Sequence, residues 1–262
     1  MINNLIIGDI SIDCANPERT RGFYAALTGW EKREAYGCPA LVGDNGLLIL
    51  FMGCDFEYIP PVWPEEDGKQ QKQMHLDFTA DDMPSAVEEA VRLGATKAAV
   101  QYGDEKTCVT MLDTEGHPFC FCKRQSEAEF GARFERKYYS VLADYSINID
   151  CPDTKKLRAF YAGLTNWDQE FHWTALVAEN GMNVHFMQSD FDYIPPVWPE
   201  EPGKQQKQMH FNFQVDDLPA AVDEAIRLGA AKAAAQYGGE RFVTMLDPVG
   251  HPFCLCRKGN DG

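Results

Sequence analysis

DFEYIPPVWPEEDGKQQKQMHL, from Asp55 to Leu76, returns as DFDYIPPVWPEEPGKQQKQMHF, from Asp190 to Phe211, with three differences in 22 positions. A long segment repeated at one offset marks a chain built from copies of one unit, and it has to be recognised before any single element is assigned. The flanks agree: FYAALTGW (Phe23–Trp30) returns as FYAGLTNW (Phe160–Trp167), and VTMLDTEGHPFCFC (Val109–Cys122) as VTMLDPVGHPFCLC (Val243–Cys256). The offset falls from 137 (Trp30 to Trp167) through 135 (His75 to His210) to 134 (Cys120 to Cys254), the mark of short loop deletions between matched units. The copies are expected at 1–124 and 143–262. The stretch 125–142 between them, with EAEFGARFERKYY, suits a helical linker better than a floppy tether.

Each copy divides again into two similar halves. The first opens with a strand over Ile6–Cys14, then a helix with Asn16 as N-cap, Pro17 in its first turn and Gly29 as its left-handed stop. Asp153 and Asn166 take the cap and stop positions in the second copy. Strands near 30–36, 39–43 and 47–52 follow. The second half repeats the order: a strand from Met74 to Thr79, a helix capped by Asp82 with an apolar stripe of Met83, Val87, Ala90 and Val91, then strands near 97–101, 107–112 and 118–122. The fold class is therefore α+β, a tandem repeat of paired βαβββ modules, four in all.

Composition limits the function classes. A hydrophobic fraction of 45% with 24% charged residues is that of a soluble globular chain. No apolar run approaches a membrane span, and MINNLIIGDI lacks the basic start of an export signal. Nine scattered cysteines without CxxC spacing suit a reduced, cytoplasmic setting. A net charge of −16 argues against nucleic acid and for cationic guests.

Strand alternation assigns faces. Apolar Ile10, Ile12 and Cys14 should face the helix, which turns Asp9, Ser11 and Asp13 to the other side. In the fifth strand His75 and Asp77 share the polar face, as do Cys120 and Cys122 in the last. The second copy offers Ser146, Asn148 and Asp150, then His210 and Asn212, then Cys254 and Cys256. Carboxylates, imidazoles and thiols on one face read as the lining of a polar cleft, with Asp13, Asp77, Asp150 and Asn212 as candidate ligand-binding residues. Trp63 and Trp198, in the proline-stiffened IPPVWPEE segment, would either stack on a flat ligand at the cleft mouth or plug the module junction. The KQQKQ run is expected as a solvated loop in which Lys69 or Lys72 meets an anionic group. His117 and His251 are expected to stabilise the GHPF turn.

The element order, the FYxxLTxW helix, the PPxWP segment and the DxxGHPF turn resemble the vicinal oxygen chelate superfamily of glyoxalase I, bleomycin-resistance proteins and extradiol dioxygenases. They are most similar to its glyoxalase-like domain branch. The resemblance implies two sheets whose concave side holds a small molecule, with or without a divalent metal (Zn, Fe, Mn or Ni). The metal-using relatives take ligands from the first, fifth and last strands, some adding one from the fourth. Those positions are Asp9 and Ser146, His75 and His210, Cys120 and Cys254, and near Leu50 and His185. Taken copy by copy, the implied sets are Asp9, His75 and Cys120, then His185, His210 and Cys254. Cysteine stands where the metal enzymes carry glutamate. Cys120 is also a candidate nucleophile with His75 as its base. The expectation is a glyoxalase-like protein that binds a small molecule in polar clefts, in the manner of antibiotic sequestration. The alternative is a metal-dependent lyase, isomerase or dioxygenase. The tandem copies imply a monomer with a pseudo-dimeric body, or a homodimer.

Overall fold

The computed structural model describes residues 5–54, 57–102, 104–123, 145–165, 167–169, 175–189 and 191–259. The expected linker helix at 125–142 and the stop residue Asn166 lie outside them. Four modules of identical order fill the described chain. The first is β1 (Ile6–Cys14), α1 (Pro17–Thr28), β2 (Glu31–Ala35), β3 (Cys38–Val42) and β4 (Leu48–Gly53). The second is β5 (Met74–Ala80), α2 (Met83–Arg92), β6 (Thr96–Lys97), β7 (Cys108–Leu112) and β8 (Pro118–Lys123). The third is β9 (Tyr145–Cys151), α3 (Thr154–Thr165), β10 (Asp168–Gln169), β11 (Ala175–Val177) and β12 (Asn183–Gln188). The fourth is β13 (Met209–Val215), α4 (Leu218–Arg227), β14 (Ala231–Lys232), β15 (Phe242–Leu246) and β16 (Pro252–Arg257). None of the described helices is long and apolar enough to cross a membrane.

The local chemistry behaves as its residues dictate. Asn16 accepts a hydrogen bond from Arg19 N at 3.0 Å, and Gly29 closes α1 at φ 76°. Asp82, Asp153 and Asp217 cap α2, α3 and α4 in the same way. The strand expected at 97–101 shrinks to Thr96–Lys97 because a side chain continues the ladder: Gln101 Nε2 donates to Ala98 O (2.8 Å) and Thr110 O (2.9 Å), and its Oε1 accepts from Thr110 N (2.8 Å). Val91, expected in the apolar stripe of α2, is 49% exposed. The other three stripe positions give that face enough contact with the sheet.

Sheet topology decides what the repeat leaves open, whether modules pair within a copy or between copies. One eight-stranded sheet runs β14-β15-β16-β13-β1-β4-β3-β2 and the other β10-β11-β12-β9-β5-β8-β7-β6. Each is stitched at its centre by an antiparallel seam between copies, β1 with β13 and β5 with β9. A copy therefore contributes one module to each sheet. Its two modules meet instead through their helix-bearing apolar sides: Tyr24 of α1 packs 6.1 Å from Phe78 of β5, and Phe23 5.9 Å from Phe119 of β8. Tyr24 also donates to Asp113 in the DTEGHPF turn at 2.9 Å. This arrangement buries both aromatic faces of a copy at once, which edge-to-edge pairing within the copy would not do.

The segments joining β4 to β5 and β12 to β13 cross between the sheets and grip each other. Gln71 N donates to Gln205 Oε1 (2.8 Å), Gln205 Nε2 to Gln71 O (2.9 Å), and Gln206 N to Gln70 Oε1 (2.8 Å). The KQQKQ run is thus no solvated loop. Gln70, Gln71, Lys72 and Gln73 are buried, as are Gln205 to Gln208. The physical reason is reciprocal: an amide side chain both donates and accepts, so two copies of one glutamine-rich strap satisfy each other's backbone. Asp13 N and Asp150 N then donate to Gln208 O and Gln73 O of the opposite copy, both at 2.7 Å.

Candidate functional site

Each sheet has a polar face opposite its helix-bearing side, where Asp9, Ser11, Asp13, His75, Asn148 and His210 are buried and Asp77, Ser146, Asp150, His185 and Asn212 are half-buried. In the first sheet β1 enters through a bulge between Ile7 and Asp9. A Cβ on the intervening Gly8 would come within 2.6 Å of Gln214 Cγ, so any side chain there would displace that of Gln214. Across the seam Asp9 faces Asn212 and Ser11 faces His210, and Asn212 borders Cys254 on β16. In the second sheet Asp77 faces Ser146, His75 faces Asn148, Asn148 borders His185 on β12, and Asp77 borders Cys120 on β8.

This registry redistributes the implied ligand sets. Asp9 does not meet His75 and Cys120, because β1 and β5 belong to different sheets; His185 is likewise parted from His210 and Cys254. The second-sheet face holds His75, Asp77, Cys120, Asn148 and His185, and the first-sheet face holds Asp9, Ser11, His210, Asn212 and Cys254.

The second-sheet cluster is charged. His75 Nε2 lies 3.3 Å from Asp77 Oδ1, and Asn148 Nδ2 donates to Asp77 Oδ2 at 2.6 Å. Burial works against a charged imidazole, but Asp77 and Cys120 outweigh it and raise His75 to about 10. Burial likewise opposes the Asp77 carboxylate, yet His75 and Asn148, with His185 adding to them, hold it below its usual range. The pair is an imidazolium and a carboxylate. Cys120 is held as a thiol by Cys108 and by burial, and its Sγ lies 3.6 Å from Thr110 Oγ1. An imidazolium already paired with Asp77 has no lone pair with which to take the proton of Cys120, so this geometry gives no support to a Cys120 nucleophile with His75 as its base.

The first-sheet cluster is different in kind. Asn212 Nδ2 donates to Asp9 Oδ1 at 2.5 Å and to Ser11 Oγ at 2.9 Å. Burial nevertheless raises Asp9 to about 6. Burial, with Lys207 and His251 nearby, pushes His210 well below the ordinary imidazole range, so it is neutral. Cys254 is pushed up by burial to about 11.

A lysine from the opposite copy's strap closes each face. Lys72 forms an ion pair with Asp150 and approaches Glu65 at 3.4 Å; Lys207 does the same with Asp13 and, at 3.4 Å, Glu200. Sequence reasoning missed these exchanged pairs, because partners 78 and 194 residues apart carry no local signal. Trp63 places its ring 5.4 Å from Lys72 Nζ and donates from Nε1 to Val100 O at 2.8 Å; Trp198 lies 5.5 Å from Lys207 Nζ and donates to Ala235 O at 3.0 Å. His117 and His251 tie the GHPF turns to the fifth-strand starts through Met74 O (2.9 Å) and Met209 O (2.8 Å).

The fit of a metal can be tested on these atoms. One ligand atom each from His75, Asp77 and Cys120 lies within 4.8 Å of the others. A tetrahedral ion with nitrogen and oxygen at about 2.0–2.2 Å holds them roughly 3.3 Å apart, the His75–Asp77 separation. Asp77 Oδ1 has no aligned hydrogen-bond donor among the described residues. These residues fit a divalent ion, with Asp77 as the carboxylate of the cluster and Ser146 facing it across the seam.

The comparisons agree with the architecture. The family model described as "Glyoxalase-like domain" matches residues 9–122 and again 146–256. Glyoxalase I from Zea mays superimposes with a TM-score of 0.58 at 13% identity, covering 97% of this chain and 92% of that one. A protein from Bacillus subtilis subsp. subtilis strain 168, assigned as a dioxygenase, gives 0.59 at 11% identity over 98% and 86%. At such identities the likeness is one of fold. No curated protein matches the chain in sequence. With both copies matched and the βαβββ modules in place, the chain belongs to the glyoxalase-like domain family of the vicinal oxygen chelate superfamily.

Proposed function

We propose that the chain binds a small molecule on the polar faces of its two sheets, with the second-sheet face as the principal site. The observation that carries this reading is the buried His75–Asp77 ion pair beside Cys120. Taking an imidazolium and a carboxylate largely out of water costs several kcal/mol per ion before pairing. Asp77 and Asn148 would orient a polar ligand in that cleft, and Asp9 with Asn212 in the other. The lysines held by Asp13 and Asp150, each backed by Trp198 or Trp63, would form the end walls. The net charge of −16 favours a guest that carries positive charge, as sequestration of a basic antibiotic would require. Because the two copies complete both sheets, a single chain supplies both clefts, and we take it to act as a monomer.

The cluster favours a second reading, a metal-dependent lyase, isomerase or dioxygenase. His75, Asp77 and Cys120 would hold the ion, which would supply Lewis acidity toward a ligand oxygen. Asn148 would keep Asp77 oriented from behind.

One experiment addresses both. The purified chain is analysed for Zn, Fe, Mn and Ni, and its melting is followed against a panel of small cations and metabolites. Near-stoichiometric metal lost in Asp77→Asn selects the metal reading. Melting shifts without metal select the binder. Neither metal nor any shift overturns both.

A further inference from the structure

Cys108 of β7 and Cys122 of β8 face each other across the hairpin, and their Sγ atoms are 3.6 Å apart. The adjacent residues Thr107 and Lys123 are joined by Lys123 N donating to Thr107 O at 2.8 Å, so the alternation of an antiparallel ladder puts Cys108 and Cys122 at a non-hydrogen-bonded position. Cα atoms at such positions are about 4.5 Å apart, inside the roughly 4.4–6.8 Å that a disulfide spans. Both cysteines are half-buried, which leaves a small reagent an approach. The second copy provides a built-in comparison: Phe242 stands opposite Cys256 at the corresponding pair.

We propose that Cys108 and Cys122 are a redox-active pair that closes to a disulfide against a low-molecular-weight disulfide. One cysteine sulfur attacks the external disulfide and releases one external thiol, leaving a mixed disulfide. The facing cysteine sulfur then displaces the second external thiol. The protein dithiol gives up two electrons and two protons, and the external disulfide becomes two thiols. The pair lies next to the site, because the following pair on the same hairpin face is Thr110 with Cys120, and Cys120 stands with His75 and Asp77. The inference rests on strand register and needs neither reading of the ligand.

The test uses the full chain equilibrated across a series of oxidised and reduced glutathione, quenched with an alkylating reagent and mapped by peptide mass. The expected result is a poise-dependent loss of two of the nine alkylatable thiols, with a Cys108–Cys122 cross-linked peptide lighter by two hydrogens, while Cys256 stays alkylated throughout. In Cys122→Ser, Cys108 is expected to stop at the mixed disulfide with glutathione. The proposal is overturned if Cys108 and Cys122 remain separately alkylated at every poise, or if either pairs preferentially with a different cysteine.

Discussion

His75 Nε2 stands 3.3 Å from the carboxylate of Asp77, two residues along the same strand face, while the matching His210 has the amide of Asn212 in that place. Burial lowers both imidazoles, but Asp77 and Cys120 raise His75 to about 10, while Lys207 and His251 add to the lowering of His210, which falls well below 6.5. The compensating exchange lies across the seam, where Ser146 faces Asp77 and Asp9 faces Asn212. Each cleft keeps one carboxylate at this level, but only one cleft sets it beside the histidine.

Asp77→Asn is expected to drop His75 into the neutral state at pH 7 and to destabilise the chain by about 3 kcal/mol, the cost of leaving a buried partner unpaired. The sign with pH follows from the two shifts. His75 is raised, so its stabilisation is complete below 6.5 and is lost as pH climbs toward about 10; Asp77 is lowered, so its stabilisation is complete above 3.8 and is lost only in stronger acid. The wild type should therefore lose stability relative to Asp77→Asn between pH 7 and 10, by at most about 1.4 kcal/mol per unit. Chemical denaturation across that range, with NMR titration of the His75 ring, checks it.

Asn212→Asp should raise the pKa of His210, since it restores the carboxylate that His75 enjoys. The effect should be larger when Asp9→Ser is combined with Asn212→Asp, because the new carboxylate then has no second buried carboxylate beside it. Imidazole resonances of the two variants measure it; an unmoved His210 would show that Lys207 and burial alone set its state.

Lys207→Met leaves Asp13 and Glu200 buried without their cation and should cost about 3–5 kcal/mol in urea unfolding. The double variant Lys207→Met with Asp13→Leu should recover much of that loss, because an apolar pair of similar volume needs no ionic partner.

Residues 1–124 and 143–262 produced as separate chains should co-purify one to one, because the seams β1–β13 and β5–β9 and the interlocked glutamines join the copies without the intervening residues. Gel filtration reports the complex. Two independent monomers would contradict the exchanged sheets.

On the metal reading, Zn²⁺ uptake should approach one per chain, not two, and should weaken as pH falls, because the ion competes with the protons on His75 and Cys120. Cys120→Ser should lower the affinity and Cys254→Ser should leave it unchanged. Equilibrium dialysis with elemental analysis distinguishes these outcomes.

The sequence by itself determined what is local. Asn16, Asp82 and Asp153 cap helices because a short polar side chain reaches back to its own backbone, and alternation alone assigned Asp9, His75, Asp77 and Cys120 to polar faces. The repeat revealed the four modules. Which modules share a sheet was decided only in three dimensions. MHLDF at Met74 and MHFNF at Met209 offer β1 nearly the same edge, so strand pairing carries no readable preference. The choice falls to the burial of Tyr24 against Phe78 and to glutamine straps that satisfy each other, both long-range terms. That choice set His75 and Asp9 on different sheets and made Asp77, a neighbour on the same strand, the carboxylate of the site.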